Sequence, residues 1–395
     1  MRVLLFSGKG GVGKTTASAA TAAVAAARGR KTLVLSTDPA HSLADAFGVP
    51  LGATPTEIDS GLYGMQVDAQ AAFERTWRDI QSYLVDVLAR AGVDRLQAEE
   101  LTVLPGAEEV LALLALREQV GSDLWDLVVV DCAPTGETLR LLALPHALSW
   151  YVEKVFPVQR RALRAVRPLL HRVSGPVVPQ DDVFDAVERL HSQLLDVRAL
   201  LTSPATSVRV VLTPEEVVVA EARRTLTSLA LYGYRVDALL ANRVFPPEAT
   251  DPWVAGWVAA QAVQLECVRR DAPTLPLRVS PYLPAEPVGL AALTALGEQL
   301  YGDDEPDAPS GSTDELLTVE RTADGFALSF ALPLAHSSDL TLARAGDELV
   351  LTVAGHRRVV ALPSAMRRCT VVGASLADDR LRVRFEPDPA LWPAP

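Results

Sequence analysis

The stretch RVLLFSGKGGVGKTTASAATAAVAAARGRKTLVLS at residues 2–36 decides the fold class. Its apolar run at 2–7 predicts a buried strand, its alanine-rich run at 14–28 predicts a helix that Gly29 ends, and its run at 31–36 predicts a second strand. Two strands joined through a helix form a βαβ unit, whose strands lie parallel in one sheet. The order continues with apolar runs at 127–130, 208–212 and 236–242 and with helical patterns at 73–87 and 184–201. The sequence therefore predicts an α/β fold with a mostly parallel sheet flanked by helices.

The segment GKGGVGKT at 8–15 has the spacing G-x-x-x-x-G-K-[ST] of a phosphate-binding loop. Its glycines let successive backbone N–H groups face a phosphate chain, and the following helix presents its positive end to the same anion. We expect Lys14 to reach the β- and γ-phosphates and the Thr15 hydroxyl to bind Mg²⁺. The alternative, a chance glycine turn before a lysine, does not account for the strand and helix that flank it. The residues predicted to bind ATP here are Gly10, Gly11, Val12, Gly13, Lys14, Thr15 and Thr16.

Three further charged residues are candidates for the same site. Lys9 is a second lysine inside the loop, and it is either an exposed charge or a cation that reaches a nucleotide held by another subunit. Asp131 ends the apolar run at 127–130, where ligands bind in open α/β sheets, so it is either a magnesium-associated carboxylate or a turn residue. Asp38 follows the second strand and either positions an attacking water or caps the next helix.

Composition excludes several classes of protein. The chain of 395 residues has 22% charged residues and a formal net charge of -12, which argues against a general nucleic-acid binder. Its three cysteines, Cys132, Cys267 and Cys369, are too few and too far apart for a disulfide framework or a zinc pair, and they fit a reducing cytoplasm. No apolar run is long enough to span a bilayer, so we expect a soluble, cytoplasmic protein whose work at a membrane requires a partner.

The composition changes after residue 301. Residues 302–313 are rich in acidic residues, proline, glycine and serine, as is typical of a linker. Short alternating runs separated by turn pairs such as Asp324-Gly325 and Gly346-Asp347 follow and predict a small all-β sandwich at 314–395. The sequence leaves two alternatives for this tail: an independent module on a flexible linker, or a domain that packs against the rest of the chain.

Taken together, the motifs in residues 1–301 resemble the family of arsenite-pump ATPases and tail-anchored-protein-targeting ATPases, which are P-loop NTPases with a deviant Walker A loop. The loop at 8–15 resembles the family's phosphate loop, and STDPAHSLADAF at 36–47 resembles its first switch. The segment DCAPTGETLRLLALP at 131–145 resembles its second switch. Later segments that resemble the family lie at 212–226, 241–246 and 280–290.

This resemblance implies a role for individual residues. Lys9 would be the signature lysine that reaches the partner subunit's nucleotide in a closed homodimer, and Asp38 would orient the attacking water. Asp131 would coordinate magnesium through water. Asn242 would contact the adenine ring, and Pro281 lies in the segment that resembles the last adenine-side loop. The resemblance thus implies Lys9, Lys14 and Asp38 as the catalytic residues, with ATP and Mg²⁺ as cofactors.

The chain also departs from the family pattern. The family's second switch usually has Thr and His where this chain has Cys132 and Glu137, so the resemblance does not carry the family's coupling between switch and client over to this chain. The last loop usually has Arg where Val288 stands. The eukaryotic targeting factors hold their dimer with a CxxC zinc site, whereas Cys267 stands alone, so we predict no zinc. The cysteines also do not match the trio with which arsenite pumps sense metalloid.

The tail resembles a second family. The runs GFALSFALP at 325–333, ELVLTV at 348–353 and ASLADDRLRV at 374–383 are similar to the α-crystallin domain of small heat-shock proteins, which is a β-sandwich. Some bacterial and plastid members of the ATPase family carry such a tail. The two resemblances therefore agree with each other, because the same family contains proteins with both domains.

A candidate client-binding helix lies in residues 154–180, which contain six arginine and lysine residues spaced beside an apolar stripe and interrupted by Pro168. The alternative is an ordinary surface helix with its apolar side on the core. The family carries a helical client-binding insert in this neighbourhood. The resemblance thus implies a Mg²⁺-dependent ATPase homodimer that binds or targets hydrophobic client segments, with a membrane receptor or transporter as a further partner. The alternatives are the soluble ATPase of an arsenite efflux pump and a non-catalytic, nucleotide-gated scaffold.

Overall fold

The computed structural model describes residues 1–38, 42–67, 107–132, 181–248, 250–309 and 315–391. Three predicted features lie outside these residues: the helix at 73–87, the second switch beyond Cys132 with its Glu137, and the basic helix within 154–180. Among the described helices, none has the length and apolar content that crossing a membrane would require.

An eight-stranded sheet forms the centre of the first unit, with the strand order β3-β4-β2-β5-β1-β6-β7-β8. All neighbouring strands pair in parallel except β3 and β4, which pair antiparallel, so the predicted mostly parallel sheet is confirmed. The central strands are rich in Val and Leu because helices cover both faces of the sheet and bury these side chains. The strands are β1 (Arg2–Ser7), β2 (Thr32–Ser36), β3 (Thr56–Asp59), β4 (Leu62–Gln66), β5 (Leu127–Asp131), β6 (Thr206–Leu212), β7 (Val236–Val244) and β8 (Leu277–Pro281).

Seven described helices accompany this sheet. They are α1 (Lys14–Ala27), α2 (Ser42–Phe47), α3 (Ala107–Gly121), α4 (Asp181–Leu201), α5 (Glu216–Tyr232), α6 (Pro252–Asp271) and α7 (Leu290–Tyr301). The alanines that dominate α1 let it lie close to α7, where a Cβ on Gly297 would come within 2.5 Å of the Ala20 carbonyl oxygen. Helix α4 confirms the helical pattern predicted at 184–201.

The topology brings several loops to one edge of the sheet. Because parallel strands all end at the same side, the loops after β1, β2, β5, β6, β7 and β8 meet at the carboxyl edge. The phosphate-loop segment follows β1, Asp38 follows β2, and Asp131 is the last residue of β5. Asn242 lies near the end of β7, and Pro281 is the last residue of β8. The candidate residues thus share one edge although they are far apart in sequence.

The second unit consists of two antiparallel sheets, one ordered β14-β15-β10-β9 and the other β11-β12-β13. Alternate side chains of the two sheets form one core, which includes Phe330, Leu351 and Phe385. This confirms the predicted all-β unit and both predicted turns. The strands are β9 (Leu317–Thr322), β10 (Gly325–Ala331), β11 (Leu340–Ala345), β12 (Glu348–Val353), β13 (His356–Ala361), β14 (Cys369–Ala377) and β15 (Arg380–Pro387), with a short helix α8 (Ser364–Arg367) before β14.

The β unit packs against α5 of the first unit. Leu231 of α5 is buried within the hydrophobic core of the β unit. The Thr227 hydroxyl on the same helix donates to the Pro333 carbonyl oxygen at 2.6 Å, and the buried Arg358 of β13 donates to the Leu231 carbonyl oxygen at the end of the helix. A guanidinium there also lies at the negative end of the helix dipole. Of the two alternatives for the tail, the structure favours the domain that packs against the rest of the chain.

The acidic stretch after α7 is also held to the first unit over its described residues. Arg278 of β8 forms an ion pair with Asp304 at 3.1 Å, and Arg30 pairs with Asp307 at 3.2 Å. Arg28 donates to the backbone carbonyl of Asp304 at 2.7 Å. The first half of the predicted linker therefore follows the surface of the first unit, and the domain boundaries at 301 and 314 stay predictions.

Candidate nucleotide-binding site

The phosphate-loop segment has two glycines at which a side chain would collide with a neighbouring strand. A Cβ on Gly8 would lie 2.2 Å from the Val211 carbonyl oxygen of β6, and a Cβ on Gly13 would lie 2.2 Å from the Asn242 amide nitrogen. Gly11 and Gly13 also have φ angles of 81° and 91°, in the left-handed region. Larger side chains would push the loop away from β6 and β7. The sequence therefore places glycine where the loop must curl against two neighbouring strands.

Lys14 begins α1 and is buried, with only 6% of its surface exposed. Its ammonium group donates to the Lys9 carbonyl oxygen at 3.4 Å, so it lies against the backbone of its own loop. Gly10 and Gly11 are exposed at the tip of the loop, and the Lys9 side chain is half-buried beside them. An ammonium group held at the base of this loop is in position to offset phosphate charge.

Asp131 is fully buried at the carboxyl end of β5. Burial, with a smaller contribution from the charge of Asp38, raises the pKa of its carboxyl to about 7, against the opposing effects of the Thr15 hydroxyl and the Lys14 ammonium. The Ser36 hydroxyl donates to Oδ2 at 3.5 Å, whereas Oδ1 has no hydrogen-bond partner within the described residues. A buried carboxylate oxygen without a partner is costly, so the site is built for a group that would complete it.

The oxygen atoms around Asp131 fit a magnesium ion. The Thr15 hydroxyl lies 3.2 Å from the Ser42 hydroxyl of α2, next to the same carboxylate. Mg²⁺ prefers hard oxygen ligands and is commonly held by one or two protein groups together with water and phosphate. The donor set here, two hydroxyls and a carboxylate oxygen without a partner, agrees with that preference. Ser42 was not singled out from the sequence, although it lies within the segment that resembles the first switch.

Asp38 lies just beyond the end of β2 and is half-buried. Its backbone N–H donates to the Ser36 hydroxyl at 3.2 Å, which fixes the chain direction as it leaves the strand. Its charge contributes to the raised pKa of Asp131, so the two carboxyl groups are electrostatic neighbours. The structure thus brings Asp38, Asp131, Lys14 and Thr15 together at one edge.

A cleft of about 390 Å³ lies beside the phosphate loop. It is lined by Thr16 from α1, Asn242 from β7 and Pro281 from β8, together with residues of the loop that follows β8. Three residues predicted from separate segments to bind ATP therefore meet in one cavity. The cleft is continuous with the first turn of α1, as a nucleotide bound by the phosphate loop would require.

The Asn242 side chain joins β7 to the phosphate loop. Its amide nitrogen donates to the Val12 carbonyl oxygen at 2.9 Å, and its amide oxygen accepts from the Arg243 N–H at 3.0 Å. These two bonds fix the plane of the amide group against the loop. The sequence predicted Asn242 for contact with adenine, and the structure adds this bond to the loop backbone.

Arg243 of the cleft wall and Gln261, which holds it from α6, carry no clear signal in the sequence. Arg243 lines the cleft with a φ angle of 57°, a strained value for a residue with a side chain. The buried Gln261 of α6 holds this bend, since its amide nitrogen donates to the Arg243 carbonyl oxygen at 3.0 Å and its amide oxygen accepts from the Phe245 N–H at 2.8 Å. Only the packing of α6 against β7 reveals the pair, because the residues are separated by a loop and two helical turns.

Comparison with known proteins assigns this chain to a family. The family model described as anion-transporting ATPase matches residues 1–302, and the model described as the HSP20-like domain found in ArsA matches residues 323–385. A Chlorobaculum tepidum protein with the provisional name arsenical pump-driving ATPase is 34% identical, and the alignment covers 98% of this chain and 96% of that protein. An uncharacterised Streptomyces coelicolor protein is 39% identical over 100% of this chain and 99% of its own length. The Cryptosporidium parvum protein named ATPase ASNA1 homolog is 32% identical over 62% of this chain and 66% of its own length. The chain therefore belongs to the ArsA family of anion-transporting ATPases and carries the HSP20-like domain found in ArsA.

Proposed function

We propose that this ATPase works as a Mg²⁺-dependent homodimer in the cytoplasm and that its nucleotide state controls the binding of a hydrophobic client. The observation that carries the proposal is the meeting of the phosphate loop, the buried Asp131 and the adenine-side cleft at one edge of the sheet. Each of these features supplies one part of an ATP site. Their common location supports a single bound nucleotide.

The geometry supports a proposed role for each of these residues. The backbone of residues 8–15 and the Lys14 ammonium bind the phosphate chain, and Asn242 and Pro281 border the base. Thr15 would hold Mg²⁺ directly, and Asp131 would hold it through water. The ion, when bound, would offset the negative charge that develops on the phosphates. Asp38 would orient the attacking water, and its charge, which contributes to the raised pKa of Asp131, supports its place at the same edge.

Asp38→Asn tests the last of these roles. The variant keeps the size of the side chain and the Ser36 contact to its backbone, so ATP binding is expected to persist. Turnover is expected to fall, because the amide no longer accepts a proton or orients water as a carboxylate does. Single-turnover hydrolysis measured beside ATP affinity separates the two effects. Unchanged turnover would remove Asp38 from the reaction.

A shared site between two subunits is the second part of the proposal. Lys9 lies at the loop beside the exposed glycines, from which its side chain could reach a facing copy. Lys9→Ala should therefore lower hydrolysis and ATP-dependent dimer closure together. Mixing Lys9→Ala subunits with Lys14→Ala subunits should restore activity to part of the sites, because each intact lysine serves the opposite loop. A strictly additive loss on mixing would instead indicate a role within one chain.

The identity of the client is the third part of the proposal. The HSP20-like domain and the names of relatives support two alternatives, a carrier of hydrophobic protein segments and the ATPase of an arsenical pump. Family membership counts against the non-catalytic scaffold. Steady-state ATP hydrolysis measured with arsenite and, separately, with a peptide of a transmembrane segment decides between the two. Stimulation by the peptide supports the hydrophobic client, and stimulation by arsenite alone would favour the pump and a transporter as its partner.

A further inference from the structure

Strand β7 has an irregularity where it borders the nucleotide cleft. Between Ala241 and Val244, which both pair with β8, two residues of β7 stand opposite one residue of β8. An extra residue of this kind is a β-bulge, which bends its strand and redirects the side chains beside it. The two residues are Asn242 and Arg243, and both line the cleft. The bulge thus sets the direction in which β7 presents its side chains to the cleft.

A side chain of α6 holds this bulge. Gln261 is buried, with 5% of its surface exposed. Its amide nitrogen donates to the Arg243 carbonyl oxygen at 3.0 Å, and its amide oxygen accepts from the Phe245 N–H at 2.8 Å. Since the donor and the acceptor belong to one planar amide group, they fix the spacing of these two backbone groups. Gln261 thereby stabilises the φ angle of 57° at Arg243, which a residue with a side chain rarely adopts.

The bulge in turn fixes the Asn242 amide. Its nitrogen donates to the Val12 carbonyl oxygen at 2.9 Å, and its oxygen accepts from the Arg243 N–H at 3.0 Å. A carbonyl oxygen only accepts and a backbone N–H only donates, so these two partners determine which end of the amide carries the oxygen. Each bond uses one of the two N–H groups or one of the two lone pairs of the amide. The second N–H and the second lone pair belong to a residue that lines the cleft.

Adenine and guanine differ in what they offer to such an amide. Adenine presents N7, which accepts, beside the N6 amino group, which donates, and an asparagine amide binds this pair through one N–H and one oxygen. On the same edge guanine presents two acceptors, N7 and O6, so the amide oxygen would face another oxygen. An amide that is held in one orientation therefore discriminates between the two bases, whereas an amide that rotates freely adapts to both.

Gln261 also supports a second part of the cleft wall. Phe245, whose N–H bonds to Gln261, stacks its ring on Tyr282 at a centroid distance of 4.9 Å and an interplanar angle of 2°. The Tyr282 N–H donates to the Val244 carbonyl oxygen at 2.8 Å, and Tyr282 lines the cleft. A displacement of the backbone at 243–245 would therefore move the wall that β7 forms and the loop that follows β8.

We propose that Gln261 is a positioning residue for base recognition: by holding the bulge of β7, it keeps the Asn242 amide in the orientation that selects adenine nucleotides. This inference rests on the adenine-side cleft of the proposed function and adds the residue that sets its selectivity. Gln261 acts through the backbone of Arg243 and not on the nucleotide itself. Its loss should therefore weaken recognition of the base and leave recognition of the phosphates intact.

Gln261→Met tests this role, because it removes both hydrogen bonds and keeps the length of the side chain. Isothermal titration calorimetry measures the affinity for Mg²⁺-ATP, for Mg²⁺-GTP and for Mg²⁺-tripolyphosphate, which has no base. Affinity for ATP should fall about 10-fold, and the preference for ATP over GTP should shrink by a similar factor. Affinity for tripolyphosphate should change by less than about twofold, since Lys14 and the loop backbone still bind the phosphates.

Two further substitutions test the mechanism. Glycine adopts a positive φ angle without steric cost, so in an Arg243→Gly background the bulge should depend less on Gln261. A double-mutant cycle should therefore show a smaller effect of Gln261→Met on the ratio of ATP to GTP affinity in that background. Thr225→Val is the matched control, because Thr225 is buried in α5 and its hydroxyl donates to the Glu221 carbonyl oxygen at 2.9 Å. It loses a buried hydrogen bond in a different helix and should keep the wild-type ratio.

Melting temperature checks that each variant is folded. A wild-type ratio of ATP to GTP affinity in Gln261→Met would overturn the proposal, and so would equal losses of affinity for ATP and tripolyphosphate. If Gln261→Met does not fold, Arg243→Val replaces it, since a β-branched residue disfavours the left-handed turn, and a wild-type ratio there would overturn the proposal as well. An equal effect of Gln261→Met in both backgrounds would overturn the role of the bulge. A wild-type chain that binds ATP and GTP equally would instead refute base recognition in the proposed cleft, and this inference with it.

Discussion

The carboxyl edge of the sheet and the junction between the β unit and α5 are both built from buried residues, but they differ in what burial does. At the edge, burial leaves the Asp131 carboxyl with a raised pKa and an oxygen without a partner in the described structure. At the junction, burial places Leu231 among apolar side chains of the β unit. Burial at the edge therefore lowers the free energy of unfolding and leaves a site that a ligand can complete. Burial at the junction raises the free energy of unfolding. Substitutions in the two regions should differ accordingly.

Lys14→Ala should have the largest effect and should act on binding. Removing the ammonium group eliminates charge-assisted hydrogen bonds to phosphate, so ATP affinity should fall at least about 100-fold. Isothermal titration calorimetry measures the change. The matched control is Lys31→Ala, since Lys31 is an exposed lysine before β2 at the other edge of the sheet and should leave the affinity unchanged. Equal affinities in the two variants would remove the phosphate loop from nucleotide binding.

Leu231→Ala should have the next largest effect and should act on stability. The substitution leaves a cavity in the core of the β unit, and the free energy of unfolding should fall by about 3 kcal/mol. In a chain that ends at residue 313, Leu231 is no longer covered by the β unit, and the same substitution should cost less than about 1 kcal/mol. Urea unfolding measures the difference when Leu231→Ala is compared with the wild-type residue in both the full-length and the shortened chain. An equal cost in both backgrounds would mean that the β unit does not pack on α5.

Asp131→Asn should raise stability in the absence of nucleotide. Below about pH 4 the carboxyl is protonated in both the folded and the unfolded chain, since its ordinary pKa is 3.8. Between pH 4 and 7 the unfolded chain ionises while the folded chain keeps its proton, so the free energy of unfolding falls as the pH rises and levels off above about pH 7. The amide does not ionise, so at pH 8 the variant should be the more stable protein, by up to about 4 kcal/mol, the ceiling set by a pKa of about 7 against 3.8. Urea unfolding at pH 5 and pH 8 checks this, with Asp59→Asn at an exposed position as the control. If the free energy of unfolding of Asp131→Asn changed with pH as much as that of the wild type, the prediction would be wrong.

Glu320→Gln should have the smallest effect. Glu320 forms an ion pair with Arg382 at 3.1 Å on the surface of the β unit, and about half of each side chain is exposed. Solvent screens such a pair, so the free energy of unfolding should change by less than about 0.5 kcal/mol. A larger loss in urea unfolding would show that the outer face of this sheet is less solvated than its exposure indicates.

Local sequence patterns were sufficient to predict most of the nucleotide edge. The phosphate loop, the first strand and helix, and Asp131 at a strand tip all depend on residues close together in the chain. The bond from Asn242 to Val12, the Gln261 contacts and the Arg358 bond to Leu231 join residues from separate elements. Periodicity carries no information about such partners, because they are set by how helices and sheets pack. For the same reason the sequence left the position of the β unit open.

The most direct test of the account is whether Asp131 loses a proton when Mg²⁺ and ATP bind. A carboxyl with a pKa of about 7 should be largely protonated at pH 6, and a bound cation beside it favours the ionised form. Calorimetric titration at pH 6 in buffers of different ionisation enthalpy counts the protons released, and comparison with Asp131→Asn removes the contribution of the nucleotide itself. The account predicts that the wild-type chain releases close to one proton per site more than the variant. Equal proton release in the two proteins, with Mg²⁺-ATP bound to both, would contradict the role of Asp131 at the centre of this site.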